Sequence, residues 1–144
     1  MKNIILWVIV PLIAIQFINL DVPQELPIDS NKQLKASKEV MDILNRSCAD
    51  CHSNYAKYPW YDRIAPITWF VQAHVKNGRK VFNMDIWNSY DSEKKIKILE
   101  KIPDVLKIRM PLPSYLWLHP EAKLSNKDKE ILKKWAEDLQ SKLE

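Results

Sequence analysis

Both cysteines of this chain lie in one pentapeptide, Cys48-Ala49-Asp50-Cys51-His52. On a helical turn, residues at i, i+3 and i+4 share one face, so Cys48, Cys51 and His52 are expected to point the same way. C-x-x-C-H is the attachment pattern of a covalently bound haem, because two thiols can add to the two vinyl groups while the imidazole reaches the iron. The motif predicts one haem c, held through Cys48 and Cys51, with His52 as an iron ligand.

Three other uses of this pentapeptide stay open. A thioredoxin-like dithiol needs a strand before the motif and a βαβ setting, whereas a helical pattern precedes it here. A disulfide between Cys48 and Cys51 would close a small, strained loop. A structural zinc ion needs four protein ligands, and the two remaining histidines, His74 and His119, do not make the usual paired spacing.

The iron needs a second axial ligand if its site is closed. Met110 lies in a segment stiffened by Pro111 and Pro113, which fix φ and hold the chain extended. A stiff loop loses little entropy when its thioether binds iron, so Met110 is the predicted sixth ligand. The other candidates are His74, His119, Met84 and Met41, for which packing or a local hydrogen bond is the commoner role.

The first twenty residues are almost entirely apolar, with one charge at Lys2. About 20 apolar residues span a bilayer as a helix, so this stretch predicts a single transmembrane helix. Residues 17–21 lack a small-x-small cleavage site, which favours an anchor over a cleaved signal peptide. Lys2 on the inner side and the acids that follow on the outer side indicate the inner membrane, with the remainder in the periplasm.

Composition limits the remaining classes. The 144 residues contain one glycine and two cysteines, which excludes collagen-like chains and disulfide-rich miniproteins. A net charge of +4, with acids and bases mixed, does not indicate nucleic-acid binding. The expected organisation is an anchor or signal segment at 1–20, an extended linker at 21–33 and a haem c-binding domain at 34–144.

Helical periodicity dominates that domain and no alternating strand pattern is present, so the predicted class is all-α. Four helices are expected, beginning after Ser37, at Pro66, after Asp91-Ser92 and after Ser125. Gly78 is expected to end the second in the left-handed conformation, Pro103 to break or kink the third, and Asp128 to complete a capping box. The apolar stripes are Val40, Ile43 and Leu44; Ile67, Phe70, Val71, His74 and Val75; Ile96, Leu99 and Ile102; and Ile131, Leu132, Trp135 and Leu139.

The chain resembles the bacterial haem-binding domain family over nearly the whole exported part. The resemblance lies in Cys48–Asn54, Tyr58–Tyr61, Ile64–Trp69, His74-Val75, Gly78-Arg79, Phe82-Asn83, Trp87, Met110-Pro111, Tyr115-Leu116, His119–Ser125 and Trp135. It implies a c-type haem, one amino-terminal membrane anchor and an electron-transfer role. It also implies a fold like that of a small monohaem cytochrome c, whose last helix packs back on the first. Ala56 and Met84 depart from the expected threonine and aromatic residue.

A porphyrin presents a large apolar face and two anionic propionates. The aromatic residues that could wall it are Trp60, Tyr61, Trp69, Phe70, Trp87, Tyr115 and Trp117, with ordinary core packing as the alternative. Arg63, Arg79 and Arg109 are candidates for propionate pairing, with a solvated charge as the alternative. His52 is expected to donate its other ring nitrogen to a backbone carbonyl, with Pro59 and Pro66 near in sequence.

These features favour a membrane-anchored periplasmic monohaem cytochrome that binds haem and passes single electrons to redox partner proteins. Such a carrier is not an enzyme. The alternative is a haem sensor or peroxidase-like protein with an open distal position, in which His74 would serve as an acid–base residue. A third possibility is an accessory haem subunit of a larger oxidase or dehydrogenase.

Overall fold

A computed structural model of the protein describes residues 2–18 and 25–144. Its α-helices are α1 (Lys2–Ala14), α2 (Lys38–Ser47), α3 (Ala49–His52), α4 (Ile67–Val81), α5 (Ser92–Ile108), α6 (Pro113–Leu116) and α7 (Asn126–Gln140). Short 3-10 turns occur at Ile15–Phe17, Trp60–Arg63, Met84–Ser89 and Pro120–Ala122. No residue of the two described ranges lies in a β-strand, which confirms the all-α prediction.

The apolar amino-terminal stretch forms a shorter helix than expected. α1 has 13 residues and gives way to the tighter 3-10 turn at Ile15–Phe17. Over residues 2–18 and 25–144, no helix combines the length and the apolar character needed to cross a membrane. Asn19 and Leu20, the last residues of the predicted span, lie outside the described residues.

Residues just after α1 and before α2 touch the domain directly. The Gln16 side chain donates to the carbonyl of Ala65 at 3.0 Å and accepts from its amide at 2.9 Å. Residues 25–28, in the predicted linker, form no helix, yet the amide of Leu26 bonds to the carbonyl of Asn54 at 3.3 Å. The Asn54 side chain also donates to the carbonyl of Pro27 at 3.1 Å.

Polar caps begin the helices where the sequence predicts them. Ser37 accepts from the Val40 amide, Asp91 accepts from the Lys94 amide, and Ser125 and Asp128 form a reciprocal capping box. These side chains satisfy amides that have no partner within the helix. The starts of α2, α5 and α7 are therefore confirmed.

The predicted end of α4 at Gly78 is wrong, and Pro103 does not break α5. α4 continues through Gly78 to Val81, and Gly78 does not have a positive φ. α5 continues through Pro103 to Ile108 and packs extensively along α7. A proline removes one helical hydrogen bond, and burial of the α5 face at Leu99 and Leu106 offsets that loss.

The core lies between α2, α5 and α7. The predicted face of α2 is buried, and Leu99 and Leu132 are the largest fully buried side chains. Phe82, Met84 and Trp87 complete this cluster, while Cys48 and Ala49 pack against its edge. The start of the attachment motif thus contacts the core. α7 contacts α2, as the resemblance implies.

The predicted apolar stripe of α4 is partly wrong. Ile67 and Phe70 are exposed, whereas Gln72 and Val75 are buried. α4 packs against α3 and against the turn Trp60–Arg63. Because of these contacts, the buried face of α4 is not the face that carries the most apolar residues.

Candidate functional site

The attachment turn begins where α2 ends. Cys48 leaves the helical conformation (φ −128°, ψ −30°), and α3 then forms a single new turn. The amides of Cys51 and His52 both bond to the carbonyl of Cys48, with N···O distances of 3.2 and 3.0 Å. Both thiols are free. One turn thus carries two thiols and an imidazole.

The two thiols are held in their protonated form. Burial raises the pKa of Cys48 to about 12 and that of Cys51 to about 11. The neighbouring thiol adds to the shift at Cys48, and the Asp50 carboxylate adds to it at Cys51. A reactive redox dithiol has a lowered thiol pKa, so this environment is not that of a thioredoxin-like pair.

The imidazole of His52 is fixed by a backbone carbonyl. Its Nδ1 lies 2.8 Å from the carbonyl oxygen of Phe82. Burial lowers the pKa of His52, while the carbonyls of Phe82 and Gly78 oppose that shift. A neutral ring that donates from Nδ1 carries its lone pair on Nε2, as an iron ligand requires. The carbonyl comes from Phe82, 30 residues away, and not from Pro59 or Pro66.

The last turn of α4 packs closely against the attachment turn. A Cβ on Gly78 would lie 2.5 Å from the carbonyl oxygen of Cys51. Arg79 donates from Nε to the carbonyl of Ser53 at 2.7 Å and from its terminal nitrogen to the carbonyl of Asn54 at 2.9 Å. Gly78 therefore permits a close helix–turn contact, and Arg79 binds backbone carbonyls where the sequence predicted propionates.

A buried polar network supports the residues that follow His52. Asp85 accepts from the Asn54 amide and from the Gln33 side chain, both at 2.7 Å. Asn83 donates to the Asn54 side chain, also at 2.7 Å. Sequence reasoning missed these roles. The available signal was the Ser53-Asn54 pair directly after the motif, but its partners are distant in sequence.

A side-chain hydrogen bond joins the loop with Met110 to the attachment turn. Met110 is half-buried, and its amide bonds to the carbonyl of Val105 at 2.8 Å. Tyr115 donates its hydroxyl to Asp50 at 2.6 Å. Burial, followed by this hydrogen bond, raises the pKa of Tyr115 far above its usual range. The predicted methionine loop and the motif are thus linked through Asp50.

His119 lies between two tyrosines. Its ring stacks on Tyr115, with centroids 4.3 Å apart and planes 10° apart, and its Nε2 is 2.8 Å from the Tyr61 hydroxyl. Its Nδ1 is 3.1 Å from Glu121. His119 therefore connects Tyr115, in the methionine loop, to Tyr61, in the turn Trp60–Arg63.

The other predicted site residues are less closely associated with the turn. Trp60 is 73% exposed, and Arg63 and Arg109 are exposed. Trp69 is half-buried, and its indole nitrogen has no hydrogen-bond partner among the described residues. His74 makes the expected local hydrogen bond, from Nδ1 to the carbonyl of Phe70 at 2.6 Å, but it is exposed and does not lie on a buried face of α4.

The donor set of the turn fits a haem. Two free thiols and an imidazole whose Nδ1 is already bonded would provide two points of covalent attachment and one Nε2 ligand to such a haem. Among the residues of 2–18 and 25–144, no group of three or more histidine, cysteine or acidic side chains could hold a metal ion. The site therefore does not have the four protein ligands of structural zinc.

Comparisons with known proteins identify the family. No curated protein matches the chain, and no solved structure matches it. The family model described as a haem-binding domain matches residues 10–138. That range includes the attachment turn, the last turn of α4, the Met110 loop and most of α7. The chain belongs to the haem-binding domain family.

Proposed function

We propose that this haem-binding protein is a membrane-anchored, periplasm-facing monohaem c-type cytochrome that transfers single electrons. The observation that carries the proposal is the attachment turn, where two free thiols and the Nδ1-bonded imidazole of His52 lie within five residues. Cys48 and Cys51 would hold the haem covalently, and His52 would bind its iron through Nε2. The bound haem supplies one-electron chemistry between the ferrous and ferric states.

Covalent attachment suits the chemistry of the turn. Burial raises the pKa of both thiols, which disfavours the thiolate that forms disulfides and binds metal ions. The contacts of Cys48 with the core keep the turn in one place. The chain therefore provides two attachment points and an oriented ring.

Met110 is the proposed sixth ligand. Pro111 and Pro113 restrict the backbone on its carboxyl side, and Tyr115 joins the same loop to Asp50. A thioether ligand raises the reduction potential relative to a second histidine. Two axial protein ligands would leave no open position for a substrate, which suits an electron carrier whose partners are other redox proteins.

The anchor and the location form a further part of the proposal. The support is the apolar run at 4–15, the charge of Lys2 before it and the acids after it. Membrane fractionation of the full chain tests this part, and the mass of the mature protein tests whether the amino terminus is retained. A water-soluble, amino-terminally shortened product would contradict the anchor without affecting the haem assignment.

The central test is the mass of the full chain produced in a host that matures c-type cytochromes. One covalent haem is expected in the unaltered protein, and none should be retained after denaturation when Cys48 and Cys51 are both replaced by serine. The exposed Ser141→Ala variant is the matched control and should carry haem normally. A colourless protein, or one whose haem is released by acid and solvent, contradicts covalent attachment.

Carbon monoxide separates the carrier from a sensor or peroxidase-like protein. If Met110 occupies the sixth position, the reduced protein should react slowly with carbon monoxide, and Met110→Ala should react at once. Rapid binding by the unaltered protein would indicate an open distal position. His74→Ala should leave the reaction unchanged, because His74 is exposed and bonded within its own helix.

A further inference from the structure

We propose that Gly78 and Arg79 are positioning residues for His52: they hold the attachment turn at the distance that fixes the imidazole against Phe82. The inference rests on the proposed haem attachment and extends it to two residues of α4 that lie outside the C-x-x-C-H motif. It gives both residues roles that the sequence did not predict, since Gly78 was expected to end a helix and Arg79 to pair with a propionate.

The role of Gly78 follows from the close approach of two backbones. A Cβ at this position would lie 2.5 Å from the Cys51 carbonyl oxygen and 3.2 Å from the Cys51 Cβ. The first atom belongs to the backbone and cannot move like the end of a flexible side chain. Glycine is ordinarily less stable than alanine inside a helix, so its use within α4 is explained by the contact.

Arg79 continues that contact along the next two residues. Its guanidinium donates to the carbonyls of Ser53 and Asn54 at 2.7 and 2.9 Å. A planar guanidinium presents its donors in a fixed fork, whereas a lysine ammonium is a single flexible point. The two bonds therefore set the direction of the chain that leaves His52 as well as its distance from α4.

Together these contacts involve four consecutive residues. Cys51 lies on Gly78, His52 bonds to the carbonyl of Phe82, and Ser53 and Asn54 accept from Arg79. The hydrogen bond at Nδ1 is directional, so a shift of the turn relative to α4 weakens it. A weaker bond makes the imidazole a poorer electron donor to iron, which raises the reduction potential.

Ordinary helix packing makes the opposite predictions. If Gly78 were only a helical residue, Gly78→Ala would stabilise α4 through helix propensity and leave the imidazole unchanged. If Arg79 contributed only positive charge, Arg79→Lys would behave like the unaltered protein. The two interpretations therefore differ in whether Gly78→Ala disturbs the His52 imidazole and in whether Arg79→Lys behaves like the unaltered protein.

The experiment measures, by NMR, the rate at which the Nδ1–H proton of His52 exchanges with solvent in the reduced, haem-loaded full chain. The reduction potential of the same protein is measured as well. Gly78→Ala, Arg79→Met and Arg79→Lys are compared with Asn77→Ala and Lys80→Ala, exposed neighbours on the same helix. We expect Gly78→Ala and Arg79→Met to accelerate exchange of this proton by about ten-fold and to raise the potential. Arg79→Lys should lie between Arg79→Met and the unaltered protein.

The proposal is overturned if Gly78→Ala and Arg79→Met change exchange and potential no more than the two controls do. It is also overturned if Arg79→Lys equals the unaltered protein. Should Gly78→Ala fail to fold, the Arg79 series decides alone. If the unaltered chain carries no covalent haem, the proposed function fails, and the same exchange measurement on the haem-free chain still tests the positioning role.

Discussion

The turn that presents His52 and the loop that presents Met110 are held in different ways. Residues 51–54 contact Gly78, Arg79 and Phe82, which lie in or directly after the last turn of α4, and Asp85 supports Asn54 from a buried site. The Met110 loop is joined to the attachment turn by the Tyr115–Asp50 hydrogen bond. In the described residues, the loop is held by this bond, by the stack of Tyr115 on His119 and by the bond of the Met110 amide to Val105. We expect the loop to open at a lower free-energy cost than the turn.

The difference has a functional meaning. Under the proposed function, a His52 ring that keeps its orientation would sustain iron ligation on one side, while a Met110 loop that opens more easily would allow the ligand on the other side to be exchanged.

The largest effect is expected from Asp85→Ala, which breaks the support of the attachment turn. The Asn54 amide and the Gln33 side chain would lose a buried acceptor, at a cost of about 3 kcal/mol in the free energy of unfolding. Urea unfolding of the haem-loaded chain measures this loss in the free energy of unfolding. Asp104→Ala removes a carboxylate that is 78% exposed and should change stability little. Equal effects of the two variants would contradict the supporting role.

Tyr115→Phe tests the loop by removing its bond to Asp50. We expect a loss of about 1.5 kcal/mol, because the acceptor is a carboxylate. The reduced protein should also bind carbon monoxide faster, while exchange at the His52 ring nitrogen stays unchanged. Tyr55→Phe, at a residue 54% exposed, is the matched control. If Tyr115→Phe changes both carbon monoxide binding and exchange at the His52 ring nitrogen, the two regions are not independent.

Ser125→Ala removes one half of the capping box of α7, away from both regions. We expect a loss of about 1 kcal/mol in the free energy of unfolding, with no change in potential or carbon monoxide binding. Ser141→Ala, at the other end of the helix, should cost less. A change in the haem properties of Ser125→Ala would show that general stability controls the site.

The smallest effect concerns pH. The Ser125 amide and hydroxyl, together with Arg46, hold the pKa of Asp128 below its ordinary value of 3.8. A lowered carboxyl pKa contributes stability that is present above the ordinary value and is lost as pH falls through the folded-state value. The fall in stability below about pH 4 should therefore be shallower in Asp128→Asn than in the unaltered protein. Thermal unfolding between pH 2.5 and 7 measures the difference.

Local patterns predicted much of the fold. Ser37, Asp91 and Ser125 begin helices because their side chains satisfy nearby amides, and the α2 stripe is buried because its period matches one helix face. The apolar stripe of α4 and its end at Gly78 were predicted less well. In both cases the outcome depends on the neighbouring element against which the helix packs, which periodicity alone does not identify.

The sequence by itself determined the helical class, the capped helix starts and the single turn that holds Cys48, Cys51 and His52, since each depends on residues no more than a few positions apart. The tertiary structure alone decided that Phe82 accepts from His52, that Gly78 contacts Cys51 and that Tyr115 reaches Asp50. These partners are 27 to 65 residues apart. Hydrogen bonds and close contacts act over a few ångströms, so only the packing of the helices selects which distant groups meet.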